Sequence, residues 1–210
     1  MDRLIETRKG WVWPKNDKRC WRATSRHWNL PQEVIKQVTN KAVAVQAGGN
    51  CGVYADQYAQ AFKHVYTFEP ENVNFYCLCM NLAKLHNVYK FQSFLGSGEE
   101  TTSSITNPAD SQSEPNSGMF HKTDQLGSIP VLSIDQLGLP ACDLIHLDIE
   151  GGEYDALIGA TETINKFKPL ICLEWFQNTE TLQKTMHGFG YKEIGLASKS
   201  DKMFRYAVKD

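Results

Sequence analysis

No apolar run in the 210-residue sequence approaches the roughly 18 residues that a membrane-spanning helix requires; one of the strongest, Pro169-Leu-Ile-Cys-Leu-Glu-Trp-Phe176, is already interrupted by Glu174. Nor does the opening, Met1-Asp-Arg-Leu-Ile-Glu-Thr-Arg-Lys9, hold the apolar stretch of a signal peptide, so the chain is expected in the cytoplasm with no membrane partner. The six cysteines, at 20, 51, 77, 79, 142 and 172, form no C-x-x-C pair and have no histidines at zinc-site spacing. They are read as reduced thiols, not as a disulfide framework or a structural metal centre, with Cys142 and Cys172 as small buried hydrophobes. Neither G-x-G-x-x-G nor G-x-x-x-x-G-K-[ST] occurs, which argues against a dinucleotide or triphosphate site.

What is present is the make-up of a soluble globular chain, with 41% hydrophobic, 22% charged and 11% aromatic residues, enough for one sizeable core. The net charge of −2 conceals a division: residues 1–28 carry eight Lys or Arg against three acids, so this arm is +5 and the remainder −7. Four of the five tryptophans, Trp11, Trp13, Trp21 and Trp28, lie in the same arm. Exposing that much aromatic surface is costly, so the arm is expected to pack on the acidic body or on a second subunit.

Residues 1–41 read as this arm plus a lead-in helix over Pro31–Asn40, and residues 42–210 as an α/β domain. Buried strands are expected at Ala42–Ala47, His64–Glu69, Val88–Leu95, Asp143–Asp148 and Leu170–Glu174. Helices are expected at about 53–62, after Pro70, at 154–167 and near 180–187. Tyr191–Ile194 and Met203–Val208 read as a terminal antiparallel hairpin. Alternation of apolar strands with helices predicts a doubly wound, mostly parallel sheet with helices on both faces. Between Gly96 and Gly118 only Ile105 and Ala109 are clearly apolar, which predicts a surface loop.

In a doubly wound sheet, ligands bind beyond the carboxyl ends of the strands, and the first strand ends here in Gly48-Gly49-Asn50-Cys51-Gly52. Glycine permits positive φ and leaves no Cβ between backbone and ligand. Glu69 ends the second strand 20 residues after Gly49, the spacing at which an acid accepts hydrogen bonds from ribose hydroxyls. With no phosphate-binding pattern beside it, the turn suits an adenosine cofactor that lacks phosphate and carries positive charge, namely S-adenosylmethionine.

Two segments, Val45-Gln-Ala-Gly-Gly-Asn-Cys-Gly-Val-Tyr54 with Val65–Pro70, and Asp143-Leu-Ile-His-Leu-Asp-Ile-Glu-Gly-Gly-Glu153 running on to Lys168–Glu174, give the chain its resemblance to a known family. It resembles the FkbM family of S-adenosylmethionine-dependent methyltransferases, a class I Rossmann-like group, over roughly residues 42–176. The family's D-x-E-G-x-E signature is matched by Asp148, Glu150, Gly151 and Glu153. The resemblance implies that Gly48, Gly49, Asn50 and Gly52 line the methionine and ribose, that Glu69 holds the ribose hydroxyls and that Ser93 and Phe94 flank the adenine. Gln46 stands in the cofactor site where many relatives carry an acid, which removes a charge near the cofactor's amino group.

Methyl transfer to a hydroxyl needs alignment of the acceptor and removal of its proton. Asp148, beside the transferring methyl, is the first candidate base, and His146, two residues earlier on the same strand face, and His121 are the alternatives. No metal is assigned. Asp148, Glu150 and Glu153 have the chemistry to hold a divalent ion, but Glu150 and Glu153 read more simply as caps of the following helix. The resemblance implies O-methylation of a sugar, glycan or other small-molecule acceptor, with loop 96–118 and the arm as pocket walls. Two alternatives stand beside it: an RNA or nucleotide methyltransferase using the basic aromatic arm, and a cofactor-binding module without catalysis.

Overall fold

The computed structural model describes residues 4–107, 116–123, 125–175 and 179–207. The chain opens with a hairpin of β1 (Ile5–Arg8) and β2 (Trp11–Pro14), turned at Lys9 and Gly10, both at positive φ (48° and 87°). Then come α1 (Lys18–Arg26), capped by Asp17 accepting from the Cys20 N–H at 3.0 Å, and α2 (Leu30–Ile35), which ends earlier than the sequence pattern suggests. The domain continues through β3 (Val43–Ala47), α3 (Val53–Ala59), β4 (His64–Phe68), α4 (Asn72–Asn81) and β5 (Val88–Phe91).

Short strands follow: β6 (Phe94–Leu95), β7 (Thr102–Ser103), β8 (Ile105–Thr106), β9 (His121–Lys122) and β10 (Ile129–Leu132). The chain then runs through β11 (Leu144–Leu147), α5 (Glu153–Ile158), α6 (Thr161–Phe167), β12 (Leu170–Glu174), α7 (Thr179–Gly188), β13 (Tyr191–Leu196) and β14 (Asp201–Tyr206). The main sheet has the order β13-β14-β12-β11-β3-β4-β5, with β14 antiparallel to β12 and β13 and the remaining pairs parallel.

The pleat sorts the core into two layers. Val43, Val45, Ala47, Ile145, Leu147, Ile171 and Leu173 pack under α5, α6 and α7. Ala44, Val65, Leu144, Cys172 and Met203 pack under α2, α3 and α4. β3 is buried along its whole length, as a central strand covered on both faces must be.

Three differences from the sequence pattern have physical reasons. The run Val88–Leu95 splits, because β5 stays in the main sheet while β6 leaves it to pair in parallel with β10. The helix expected at 154–167 breaks at Gly159, where a Cβ would lie 2.0 Å from the Gly96 carbonyl oxygen, so the neighbouring loop passes through the space a continuous helix would fill. Loop 96–118 is not wholly irregular: β7 and β8 pair with β10 and β9, and Ser103 and Asn107 are buried. Residues 108–115 of that loop, with Ala109, Phe176 and Val208, lie outside the described residues.

The arm docks on its own body. Trp13 is fully buried with Cys20, Cys51, Val53 and Cys77, and Trp11 with Trp28 and Trp13 with Trp21 form edge-to-face pairs at 5.6 and 5.0 Å. Asn81 on α4 accepts from the Val12 N–H (2.8 Å) and donates to the carbonyls of Val12 (2.9 Å) and Cys51 (2.8 Å), tying the hairpin to the glycine turn. All six cysteines are free, Cys142 and Cys172 buried.

Candidate active site

A cavity of about 430 Å³ opens at the carboxyl edge of the parallel strands. Its base follows from the sheet register. Gln46 on β3 lies between Thr67 on β4 and His146 on β11, so the polar residues near the strand ends share one face. Thr67 Oγ1 donates to Gln46 Oε1 at 2.6 Å, and Gln46 Nε2 donates to the carbonyls of Ala47 (3.1 Å) and Gly48 (3.0 Å). Gln46 thus braces the glycine turn from below.

Gly48 has φ +81°, and a Cβ there would lie 1.8 Å from the Asp148 carbonyl oxygen. At Gly49 a Cβ would meet Leu78 Cδ1 at 2.6 Å. The glycines let the turn lie directly against β11 and α4. Asn50 is left-handed (φ 44°), and its N–H donates to Glu69 Oε2 at 2.6 Å. Glu69 Oε1 accepts from the Glu71 N–H at 2.9 Å, and burial pushes this carboxyl up to about 7 against those hydrogen bonds.

At the other side of the glycine turn, β11 and β12 end and the antiparallel β14 begins, gathering Asp148, Glu174 and Asp201, with Glu150 just beyond. Asp148, Glu150 and Glu174 bring carboxylate oxygens within 4.8 Å of one another. Burial and then the Asp201 charge raise Asp148 to about 6. Burial followed by the Asp148 charge raises Glu150 to about 7 and Glu174 to about 10. Burial would raise Asp201 too, but the His146 imidazole and the Ser198 and Ser200 hydroxyls hold it below the ordinary carboxylate range.

The roof comes from outside the α/β core. α1 presents Cys20, Ala23, Thr24 and, at its cap, His27 to the cavity, and residues 116–120 cross over it. The Ser117 N–H donates to Asp17 Oδ2 (2.8 Å), while its carbonyl accepts from Asn74 Nδ2 (2.8 Å) and Asn50 Nδ2 (3.3 Å). One residue of the crossing segment, Ser117, is thereby clamped to the arm, to α4 and to the glycine turn.

Of the residues singled out in the sequence, Gly48, Gly49, Asn50, Glu69, Ser93, Phe94 and Asp148 come together on the cavity wall. Others do not line it. Gln46 is buried scaffold, and Gly52 caps α3 at φ 90° with Leu82 beside it. His146, read in the sequence as a candidate base, is fully buried outside the cavity lining, its Nδ1 2.7 Å from the Tyr58 hydroxyl, so its ring does not face the cavity. His121 is outside the lining too, its Nδ1 2.8 Å from the Glu150 carbonyl oxygen. Glu153 accepts from the N–H groups of Ile149 (3.0 Å) and Gly151 (3.4 Å) at the start of α5, as a cap does. Glu150 instead lines the cavity at φ 54°.

Sequence reasoning expected the arm and loop 96–118 as pocket walls and passed over Glu174 and Asp201. Glu174 had a signal, since it ends the strand expected after the one ending in Asp148. Asp201 had none, because the place of β14 between β12 and β13 is a property of the folded sheet.

An open, mostly parallel sheet in this order, with a glycine turn and an acid at the ends of its first two parallel strands, defines a class I methyltransferase-type Rossmann-like fold. The model of the methyltransferase FkbM domain matches residues 46–199, and the chain belongs to that family. The match reaches past residue 176 to include β14's approach.

Among solved structures the chain is similar to a methyltransferase FkbM from Methylobacillus flagellatus KT, at 14% identity and TM-score 0.55, covering 92% of this chain and 62% of that one. The chain therefore spans less than two thirds of that relative's length. It is also similar to a precorrin-6y C5,15-methyltransferase from Geobacter metallireducens GS-15 (12% identity, TM-score 0.52, 96% and 97% covered). A third is a ribosomal protein L11 methylase from Lactobacillus delbrueckii subsp. bulgaricus (10%, TM-score 0.51, 87% and 79% covered). At these identities the likeness concerns the fold alone. No curated protein matches the sequence. No helix among the described residues is long and apolar enough to cross a membrane.

Proposed function

We propose that the chain transfers the methyl group of S-adenosylmethionine to a hydroxyl of a sugar, glycan or other small molecule. The observation that carries this reading is the pairing, in one cavity, of a ribose-type acid at the end of β4 with a pole of carboxyl groups at the edge formed by β11, β12 and β14. From β4 to β12 is three strand spacings, roughly 14 Å, so the cavity extends across several strand ends.

The residues fit the cofactor at both poles. Ser93 Oγ is buried against the cavity with no hydrogen-bond partner among the described residues, an unmet polar atom on the adenine side. At the acid pole, mutual repulsion among Asp148, Glu150 and Glu174 favours a cation, which the sulfonium and amino groups provide. Those acids also supply the negative charge that Gln46 lacks.

When bound, the cofactor supplies an electrophilic methyl on sulfur. Glu69 accepts hydrogen bonds from the ribose hydroxyls, while Gly48, Gly49 and Asn50 carry the chain past the ribose and methionine without a Cβ in the way. Asp148 takes the proton of the acceptor hydroxyl; at about 6 its carboxyl is basic enough to do so and is still ionised at neutral pH. α1 and residues 116–120 exclude water from the transfer.

The test is calorimetric titration of S-adenosylmethionine and S-adenosylhomocysteine, with NAD and ATP as controls, followed by an acceptor screen beginning with glycans. Only the sulfur cofactors should bind, and Glu69→Ala should weaken them at least about tenfold, or 1.4 kcal/mol. Asp148→Asn should keep S-adenosylhomocysteine binding while turnover falls by about 10²–10⁴. Absence of cofactor binding would overturn the class of reaction, and unchanged turnover in Asp148→Asn would overturn the assigned base.

A further inference from the structure

Behind the cavity lining, three neighbouring strands each contribute a metal-ligating side chain. Parallel pairing sets His146 on β11 directly beside Cys172 on β12. Asp201 opens β14 opposite Glu174, two residues nearer the cavity than Cys172 and, by the alternation of the strand, on the same face of the sheet. An imidazole nitrogen, the thiol sulfur and a carboxylate oxygen lie within 4.8 Å of one another. His146 and Cys172 are fully buried and Asp201 is 2% exposed.

Buried polar atoms in folded proteins nearly always find a partner, and a hydrogen bond would bring nitrogen and oxygen to about 3 Å. His146 Nε2 and Asp201 Oδ1 instead face each other at 3.9 Å, and neither has a hydrogen-bond partner among the described residues. An ion between them accounts for both. Bonds of about 2.0 Å to nitrogen and oxygen and about 2.3 Å to sulfur place tetrahedral neighbours roughly 3.3–3.6 Å apart, so a small inward shift of Asp201 completes the geometry. The ring is held for this task. Its Nδ1 is 2.7 Å from the Tyr58 hydroxyl and Tyr54 stacks on it at 5.7 Å, which turns Nε2 toward the cluster. Metal-bound histidines characteristically keep such an oxygen partner on the other ring nitrogen.

We propose that His146 Nε2, Cys172 Sγ and Asp201 Oδ1 bind a zinc ion that staples β11, β12 and β14 together behind the methyl-transfer cavity. Nitrogen, thiolate and one carboxylate are donors that zinc accepts, whereas magnesium and calcium prefer oxygen alone. Three protein ligands leave the fourth position to water. Asp201 lines the cavity and the other two ligands lie behind it, so the ion enters past Asp201. In the metal-free chain the imidazolium and the Asp201 carboxylate face each other as an ion pair. The ion replaces the Nε2 proton and the thiol proton, and both leave to solvent. The ligands lie far apart in the chain, one per strand, which is why no zinc-type spacing occurs in the sequence. The site goes beyond the methyltransferase reading and does not depend on it.

The experiment uses the full chain, dialysed against a chelator and checked for folding by circular dichroism. Zn²⁺ is titrated in competition with a chromophoric chelator, and Co²⁺ is titrated separately and followed by absorption. The proposal expects a single zinc per chain, no competition from Mg²⁺, and a cobalt complex with a thiolate charge-transfer band. Cys172→Ala should abolish that band and weaken zinc on the order of a hundredfold or more, and Tyr58→Phe, which keeps the packing around the ring, should weaken zinc about 10–100-fold. Should Cys172→Ala fail to fold, the Tyr58→Phe comparison decides. The proposal is overturned if zinc does not bind, or binds wild type and the folded variants equally. A cobalt complex without a thiolate band would also overturn it, placing the ion on the oxygen-only trio of Asp148, Glu150 and Glu174. S-adenosylhomocysteine titrated into the same samples reports on the methyltransferase reading, and its failure to bind would leave the zinc result standing.

Discussion

His146 Nε2 and Asp201 Oδ1 face each other at 3.9 Å beneath the floor of the cavity, and neither atom has a hydrogen-bond partner among the described residues. The imidazole is fixed on its other side by the Tyr58 hydroxyl and is stacked on Tyr54 at 5.7 Å. Burial alone would favour the neutral ring, but Cys172 and Asp201 outweigh it and raise His146 to about 10. A raised folded pKa contributes stability that is complete below the unfolded value of 6.5 and fades as pH climbs toward about 10. Asp201→Asn should therefore be most destabilising, relative to wild type, near pH 6 and progressively less so above pH 8. Histidine NMR checks the cause: the wild-type His146 ring stays charged at pH 7, and the Asp201→Asn ring is neutral.

The acid pole has the same sign of pH dependence. Glu150 is raised to about 7 and Glu174 to about 10, so each favours the fold when protonated, and that contribution is lost as pH rises through those values. Without cofactor, the melting temperature should fall between pH 5.5 and pH 9. Glu174→Gln, which cannot ionise, should flatten the fall by several degrees at about 2–4 °C per kcal/mol. An equal slope in the two proteins would show that Glu174 does not feel the neighbouring acids.

Glycine 48 and glycine 138 separate steric need from backbone preference. Both have positive φ, but a Cβ on Gly48 would strike the Asp148 carbonyl oxygen at 1.8 Å, while at Gly138 nothing lies within 4 Å. Gly138→Ala should cost about 1 kcal/mol by urea unfolding. Gly48→Ala should cost on the order of 3 kcal/mol or more and should abolish S-adenosylhomocysteine binding, because the end of β11 must move.

Asn81, itself outside the cavity lining, offers a way to release the arm. Its three hydrogen bonds hold Val12 and the Cys51 carbonyl, so Asn81→Ala leaves three backbone groups to find other partners. A loss of about 2–4 kcal/mol is expected. It should come with a red shift of tryptophan fluorescence and faster proteolysis within the first thirty or so residues, since loosened chain is what proteases cut.

The parallel sheet was legible because its strands are continuous apolar runs, and one wall of the cavity was legible because the glycine turn and Glu69 close the first two parallel strands side by side. Depth was not. Alternation puts His146 and Asp148 on one face, but only the packing of Tyr54 and Tyr58 against the ring shows that His146 lies under the floor while Asp148 reaches it. The hairpin at the start carried a signal in Lys9-Gly10, where a tight turn wants two positive φ values, and its flanking charge obscured it. Glu174 and Asp201 gather near Asp148 because β12 lies next to β11 and β14 next to β12, an order that local pattern does not encode.

The cavity takes its roof from Cys20 and its floor from Asp201. A ribosome making this chain has therefore emitted the roof long before it delivers the last carboxylate, and the growing polypeptide has no complete site until β14 inserts beside β12. The full set of cavity-lining acids thus assembles in a single late step of synthesis, and an amino-terminal fragment that stops short of that strand lacks Asp201 however well its glycine turn has formed.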